Sequence, residues 1–299
     1  MLLIGWWLLP ISLFHFFPLF FSALSWRALL PVSSRLDVVS ATWIRWLRES
    51  INSLLPVASV GGDIVGARLA NLRGVPGPQA TACMIVDTTV GVATQIVFVM
   101  TGVVLLVLHS TERSTLLVAL IVLIGMGVFV AATAVFVFLQ HRGLTVGFTK
   151  FARHILPKQW LSAFADRAST VDEAVVAAYR TGWAFFGANV LRLIGWAAGA
   201  GEIWLVMQCL GQPLDVVEAF TLESLGSGIR AAAFVVPGAL GVLEGSFVVI
   251  GALFGLPAEI ALAIPLSKRV RELILGLPGL FVWHWIEAHY LRRRRGKVS

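Results

Sequence analysis

Long apolar runs constrain this chain more than any other feature. The clearest, residues 115–140, contains no charged residue, and further apolar runs cover residues 2–30, 79–109, 181–210, 216–255 and 258–288. A helix of about 20 apolar residues is long enough to cross a bilayer. Backbone N–H and C=O groups find no water there, so only helices and closed barrels span membranes. We therefore predict an all-α, polytopic protein with a single integral membrane domain over residues 1–299.

The composition excludes a soluble globule. The chain is 58% hydrophobic and 13% charged, whereas a soluble domain carries about 25% charged residues. The net charge is +7, but the basic residues gather in a few loops and at the end of the chain. That distribution indicates topology and contact with anionic membrane lipid, not nucleic acid. The six histidines and two cysteines show no metal-ligand spacing, and we expect neither a metal nor a cofactor.

Basic residues also predict the orientation, because segments rich in Lys and Arg stay in the cytoplasm. Six Lys and Arg residues lie in residues 141–180, where apolar spacing around residues 148–156 is typical of a helix on the membrane surface. Arg292 to Arg295 and Lys297 follow the last apolar run. We expect both segments, and residues 31–78, on the cytoplasmic side. The C-terminus is then cytoplasmic and the N-terminus outside.

An internal repeat appears when the chain is shifted by 181 residues. The shift aligns Pro56 with Pro237, Asp63 with Glu244, Gly74-Val75-Pro76 with Gly255-Leu256-Pro257, and Ala80 with Ala261. Gly and Pro are common in membrane helices, but six features in one ungapped register make coincidence a poor explanation. We predict two repeats, at about residues 41–109 and 220–288.

The predicted orientation makes the two repeats inverted. The long apolar run of the first repeat begins on the cytoplasmic side and that of the second begins outside. Proline removes a backbone donor, and the backbone groups that it frees are tolerated at membrane depth only inside protein or beside a wet cavity. Inverted repeats with broken helices are a transporter architecture. We predict two re-entrant hairpins, with bends at Pro56–Asp63 and Pro237–Gly245, that meet near the bilayer midplane.

Ionisable residues beside these bends are the candidate site, since charges inside a membrane are costly and usually functional. The predicted substrate-binding residues are Arg48, Glu49, Asp63, Arg230 and Glu244. Arg48 and Arg230 are suited to a lipid phosphate, because a guanidinium fork matches phosphate oxygens. The alternative roles are helix capping and internal pairing.

A second set of charged residues is predicted to form structural ion pairs. Asp87 aligns with Lys268 in the repeat, and Arg269 follows it. We expect Asp87 to pair with Lys268 or Arg269 and to hold the two halves together, because either charge alone would be costly to bury. Other charges within or beside the apolar runs receive no role: Arg68, Arg192, Glu202, Glu223, Arg271 and Glu272.

Three stretches carry a family resemblance. Residues Arg48 to Asp63 and Val236 to Gly245 resemble the flippase-like membrane domain shared with lysylphosphatidylglycerol synthases. The segment Glu223 to Gly279, with its Lys-Arg-Val-Arg-Glu run at 268–272, is most similar to the hopanoid-biosynthesis-associated branch. The resemblance covers about residues 20–290. It implies a bacterial inner-membrane protein that translocates a lipid, with a hopanoid or other polyprenoid-derived lipid as substrate and hopanoid-synthesis enzymes as candidate partners.

Lipid translocation or handling is the leading hypothesis, and two rivals stay open. One is a membrane-embedded enzyme that modifies a lipid head group, and the other is a scaffold for lipid-synthesis enzymes. The sequence contains no GxSxG, P-loop, HExxH or Rossmann fingerprint. It also contains no soluble aminoacyltransferase domain, so we do not expect lysyl transfer.

Overall fold

The fold is known from a computed structural model, which describes residues 5–55, 61–109, 170–180, 182–233 and 239–295, with scattered helical positions between 120 and 134. The helices are α1 (Leu8–Phe14), α2 (Phe16–Leu29), α3 (Val38–Leu54), α4 (Gly61–Leu72), α5 (Gly77–His109), α6 (Gly182–Cys209), α7 (Val216–Ala232), α8 (Val242–Leu253) and α9 (Ala258–Arg295). Residues 170–179 are also helical, and the described part of the chain contains no strand. The all-α prediction is confirmed.

Within the described ranges, three helical segments are long and apolar enough to cross a membrane: Gly5–Leu29, Gly77–Leu108 and Gly182–Cys209. They correspond to three of the predicted runs. The run at 216–255 divides into α7 and the short apolar α8. The last run lies within α9, which contains Pro265 and Pro278. Most of the predicted span at 115–140, the surface helix near residues 148–156 and the prolines of both bends lie outside the described residues.

Polar side chains cap the first turns of α3 and α7. The Asp37 carboxylate accepts a hydrogen bond from the backbone N–H of Ser40 at 2.9 Å and so starts α3. Hydrogen bonds from Ser40, side chain and backbone, lower the pKa of the Asp37 carboxyl. At the start of α7, Asp215 and Glu218 form a reciprocal capping box. Such caps satisfy backbone donors that have no partner inside the helix.

Two apolar cores lie at opposite ends of the long helices. The first contains Val86 and Val90 of α5, and the second contains Val99 and Val103 of the same helix. In α9 the order is reversed, because Ala261 lies in the second core and the later residues 282–286 pack against the first. Helices α5 and α9 therefore run in opposite directions between the two cores.

The 181-residue shift that aligns the two repeats in sequence also relates their helix boundaries. Helix α4 becomes α8 when 181 is added to both of its ends, and α5 and α9 begin at equivalent positions. The turns between them also match. Gly74 and Gly255 have positive φ angles of 94° and 69°, and the next residue in each copy, Val75 or Leu256, donates its backbone N–H five residues back. Glycine adopts that backbone conformation without steric cost.

Packing between the two halves is reciprocal. Helix α3 of the first repeat packs on α9 of the second, and α7 of the second packs on α5 of the first. Helices α2 and α6 are antiparallel neighbours, since Ser25 donates to the carbonyl of Ala188 at 2.8 Å while Pro18 lies beside Gly195. These directions support the inverted repeat, whose orientation across the bilayer stays a prediction.

Candidate functional site

A buried carboxylate, Asp87 of α5, is the centre of the first charge cluster. Its Oδ2 atom accepts hydrogen bonds from Arg45 Nη1 at 3.1 Å and Arg48 Nη1 at 2.9 Å. Its Oδ1 atom accepts one from Arg192 of α6. Asp87 is 1% exposed. A lone buried carboxylate costs several kcal/mol, so guanidinium groups from two neighbouring helices are needed to compensate its charge.

Asp63 in the first turn of α4 extends this group, which we call the Asp87 cluster: Arg45, Arg48, Asp63, Asp87 and Arg192. Its Oδ1 atom accepts from Arg48 Nη2 at 2.7 Å and from Arg48 Nε at 3.1 Å. Every nitrogen of Arg48 therefore donates to a carboxylate. The Nε atoms of Arg45 and Arg192 find no acceptor among the described residues. Three guanidinium groups against two carboxylates leave the cluster with one net positive charge.

A second cluster of charged side chains lies along α9. Glu272 pairs with Arg230 of α7 at 2.9 Å and with Arg269, one turn earlier in α9, at 3.2 Å. Arg269 Nε lies 3.6 Å from Oε1 of Glu244. The other carboxylate oxygen of Glu244 accepts the backbone N–H of Gly241 at 2.7 Å. Glu244 therefore caps α8 and faces a guanidinium at the same time.

The predicted pairing of Asp87 with Lys268 or Arg269 is wrong. Lys268 pairs with Glu223 of α7, and its ammonium lies 5.8 Å from the centre of the Phe247 ring. Arg269 pairs with Glu244 and Glu272. The physical reason is direction: Asp87 faces α3 and α6, whereas the α9 side chains face α7 and α8. All three residues do form ion pairs, but not with one another.

A chain of four ionisable side chains connects α2, α3, α6 and α9. His15 lies at the joint between α1 and α2, and its Nε2 atom is 2.5 Å from Glu49 Oε1. Its Nδ1 atom contacts Glu202 Oε1, and the other oxygen of Glu202 accepts from Arg271. The side chains of His15 and Glu202 are 13% and 4% exposed, whereas that of Glu49 is 37% exposed.

A narrow cleft of about 20 Å³ lies beside this chain, between α2, α3 and α9. Its charged lining is His15, Glu49, Arg271 and Glu272, and its apolar lining includes Leu19 and Leu275. Close packing brings the walls together, because Trp46 of α3 donates its ring N–H to the carbonyl of Leu275 at 3.0 Å. The cleft combines an apolar wall with polar and ionisable side chains, and its space is about that of one water molecule.

The predicted site residues fall into two connected groups. Arg48 and Asp63 are bonded to each other in the Asp87 cluster. Glu49 opens on the cleft with Glu272, which binds Arg230 and, through Arg269, leads to Glu244. The second group is the more accessible, since the Arg230 side chain is 38% exposed.

Sequence reasoning gave no role to His15, Glu202 or Arg271. The sequence shows Glu202 and Arg271 as charges in apolar surroundings, but their partners come from distant helices. His15 has no metal ligand at a suitable spacing, so the sequence assigns it no site. The available signal was its place in an otherwise apolar span, between Pro10 and Pro18. Among the described residues, no group of His, Cys, Asp and Glu side chains is arranged to hold a metal ion.

Among the described residues, three apolar helical segments of spanning length, with buried charge clusters between them and their neighbours, define a multi-pass membrane protein. Residues 3–279 match the family described as the lysylphosphatidylglycerol synthase transmembrane region. The chain belongs to this family, which links it to lipid handling. No curated protein and no solved structure matches the chain.

Proposed function

We propose that this protein moves a lipid between the leaflets of a bacterial inner membrane. The observation that carries the proposal is the cleft between α2, α3 and α9, where Glu49, Arg271 and Glu272 lie beside apolar side chains such as Leu19 and Leu275. A lipid that changes leaflet must bring its polar head group through hydrocarbon, where charges are costly. Fixed charges along the route lower that cost, while the acyl chains remain in the bilayer.

Arg230 is the proposed contact for a head-group phosphate. It is the partly exposed partner of Glu272, and a guanidinium can bind a phosphate in place of a carboxylate, because both anions accept its N–H donors. Glu244 faces the same route from the first turn of α8. Each nitrogen of Arg48 already donates to a carboxylate, so its proposed role is to hold Asp63 at the first turn of α4, the position equivalent to Glu244 in the repeat.

The orientation, the repeat architecture and the lipid class are proposed from the sequence together with the family membership. We propose a cytoplasmic C-terminus, inverted repeats whose re-entrant bends meet at membrane depth, and a hopanoid-related or other polyprenoid-derived lipid as substrate. The reversed order of α5 and α9 between the two cores supports the inversion. The family membership supports a lipid substrate in general.

Reconstitution into vesicles tests the proposal directly. Purified protein is incorporated into phosphatidylethanolamine–phosphatidylglycerol vesicles with fluorescent phospholipid or hopanoid analogues, and leaflet exchange is followed by quenching of the outer leaflet. We expect Arg230→Ala and Glu244→Gln to slow exchange about tenfold or more, as loss of a charged hydrogen bond in a transition state does. The matched control is Arg68→Ala, which removes an arginine from the exposed ion pair with Glu287. Equal rates in all variants would refute the site.

Lipid mass spectrometry separates the rival functions. An enzyme that modifies a head group predicts a covalently changed lipid in cells that carry the gene. A scaffold predicts that substitutions of Arg230 and Glu244 leave the cellular phenotype intact, whereas substitutions within residues 141–180 abolish it.

A further inference from the structure

His15 lies between two carboxylates that come from different helices. Glu49 of α3 faces its Nε2 atom, and Glu202 of α6 faces its Nδ1 atom. Ionised carboxylates only accept hydrogen bonds, and a neutral imidazole carries one N–H donor. Two protons are therefore required for both contacts to be hydrogen bonds. Either His15 is an imidazolium, or one carboxyl is protonated beside a neutral ring.

Loss of one of these protons breaks one contact. With a single proton among the three groups, a nitrogen lone pair faces a carboxylate oxygen, and the two repel each other. The contact that opens would separate the α1–α2 joint from α3 or from α6. Proton occupancy is thus linked to the packing of helices that form the wall of the cleft.

Other charged groups near His15 are already engaged. Arg271 of α9 donates to Glu202, and Glu272 binds Arg230. On the α3 side, Arg45 donates to Asp87, and on α9 Lys268 pairs with Glu223. Of the three groups in the triad, Glu49 is the most exposed and lines the cleft. A proton can therefore reach the triad from the cleft through Glu49.

We propose that His15, Glu49 and Glu202 form a proton-binding site that couples a proton gradient to lipid movement. One proton binds from the side to which the cleft opens, and the same proton leaves after the helices have rearranged and the triad faces the other side. No other reactant is needed. This inference rests on the proposed function, because the coupled event is lipid exchange.

Gradient-driven exchange is the test. Vesicles of phosphatidylethanolamine and phosphatidylglycerol hold the full chain and a short-chain fluorescent phosphatidylglycerol, with and without an imposed pH gradient. For the wild type we expect the gradient to change the exchange rate about fivefold or more, and a protonophore to abolish the change. His15→Gln should exchange at the same rate under both conditions. His284→Gln, outside the triad, is the control and should respond as the wild type does.

Glu49→Gln provides a second test of the proton site in case the His15→Gln variant does not fold. Its amide can donate to a neutral His15, so the contact survives although residue 49 no longer titrates, and we expect a folded protein whose exchange rate does not respond to the gradient. Wild-type exchange without any gradient response overturns the proton site but leaves the proposed function standing.

If the wild type moves no probe, the proposed function fails for that lipid and the proton site is judged separately. The measurement is the ¹⁵N spectrum of histidine-labelled protein in nanodiscs, with His15→Gln to assign the signal. Two hydrogen-bonded ring nitrogens support the triad. A ring with one N–H and one unbonded nitrogen overturns it.

Discussion

Replacement of Asp87 by asparagine tests the buried charge cluster, because the change keeps the shape of the side chain and removes its charge. Arg48 would retain Asp63, whereas Arg45 and Arg192 would lose their carboxylate partner. The net charge of the Asp87 cluster would rise from one to two positive charges. Removal of one partner from a buried ion pair costs about 3–5 kcal/mol. The lower figure alone shifts the unfolding equilibrium by roughly 100-fold.

Unfolding in mixed micelles with increasing sodium dodecyl sulfate, followed by circular dichroism, gives the free energy of unfolding. The control is Glu259→Gln, since Glu259 is an exposed carboxylate in the first turn of α9. An exposed substitution of this kind changes stability by about 0.5 kcal/mol or less. Equal stability of the two variants would refute the view that Asp87 compensates the surrounding arginines.

A double substitution sharpens the test. In wild-type protein, Arg192→Gln removes a donor that Asp87 uses. In the Asp87→Asn background the same change removes an uncompensated charge, so it should cost less or restore stability. The coupling energy should lie within about 0.5–3 kcal/mol, as for residues in direct contact. Strict additivity would show that the two side chains do not interact.

Three further predictions concern packing, pairing and pH. Gly279→Ala should destabilise the protein by about 1–3 kcal/mol in the same unfolding assay, because the new Cβ would lie 2.1 Å from Ser50 Oγ and 2.6 Å from Ser50 Cβ. Glu223→Lys and Lys268→Glu should each lower the yield of folded protein in detergent, and the double exchange should recover most of it. Asp37→Asn should remove a pH-dependent part of the stability: the lowered pKa of Asp37 means that the wild type loses this part as the pH falls through that pKa, whereas asparagine caps without titrating.

Matched controls keep these outcomes specific. Gly187→Ala adds the same methyl group to α6 where nothing lies within 4 Å, so it should not destabilise the protein. If it does so as much as Gly279→Ala, the close approach of α3 and α9 is not the cause. Failure of the double exchange to recover folded protein would contradict the direct pairing of Lys268 with Glu223, and identical acid profiles would contradict the role of Asp37.

The sequence predicts the helices well because their physical signals are local. Apolar length determines where α5 and α6 can lie, and the Gly-Val-Pro and Gly-Leu-Pro turns end α4 and α8 at equivalent positions. The 181-residue shift therefore anticipated boundaries that the structure also has. The partners of charged residues are not local. Arg192 reaches Asp87 from 105 residues away in sequence.

The pairing of Asp87 with Lys268 failed for a related reason. Residues related by a two-fold repeat meet only when they lie near the axis that relates the copies. Asp87 and Lys268 each face helices that pack beside their own long helix, so each finds a different partner. The role of His15 could not be predicted from the sequence, because it depends on contacts with Glu49 and Glu202, which lie on separate helices.

Interlocked packing has a consequence for how the chain assembles. Because α3 is covered by α9 and α7 by α5, neither half possesses a complete core of its own. Two fragments that divide the chain between α5 and α6 should be unstable alone yet combine when synthesised together. The same complementarity would allow an ancestral half-length polypeptide, inserted in both orientations, to pair with its own copy, so that fusion of two genes would preserve contacts that already existed.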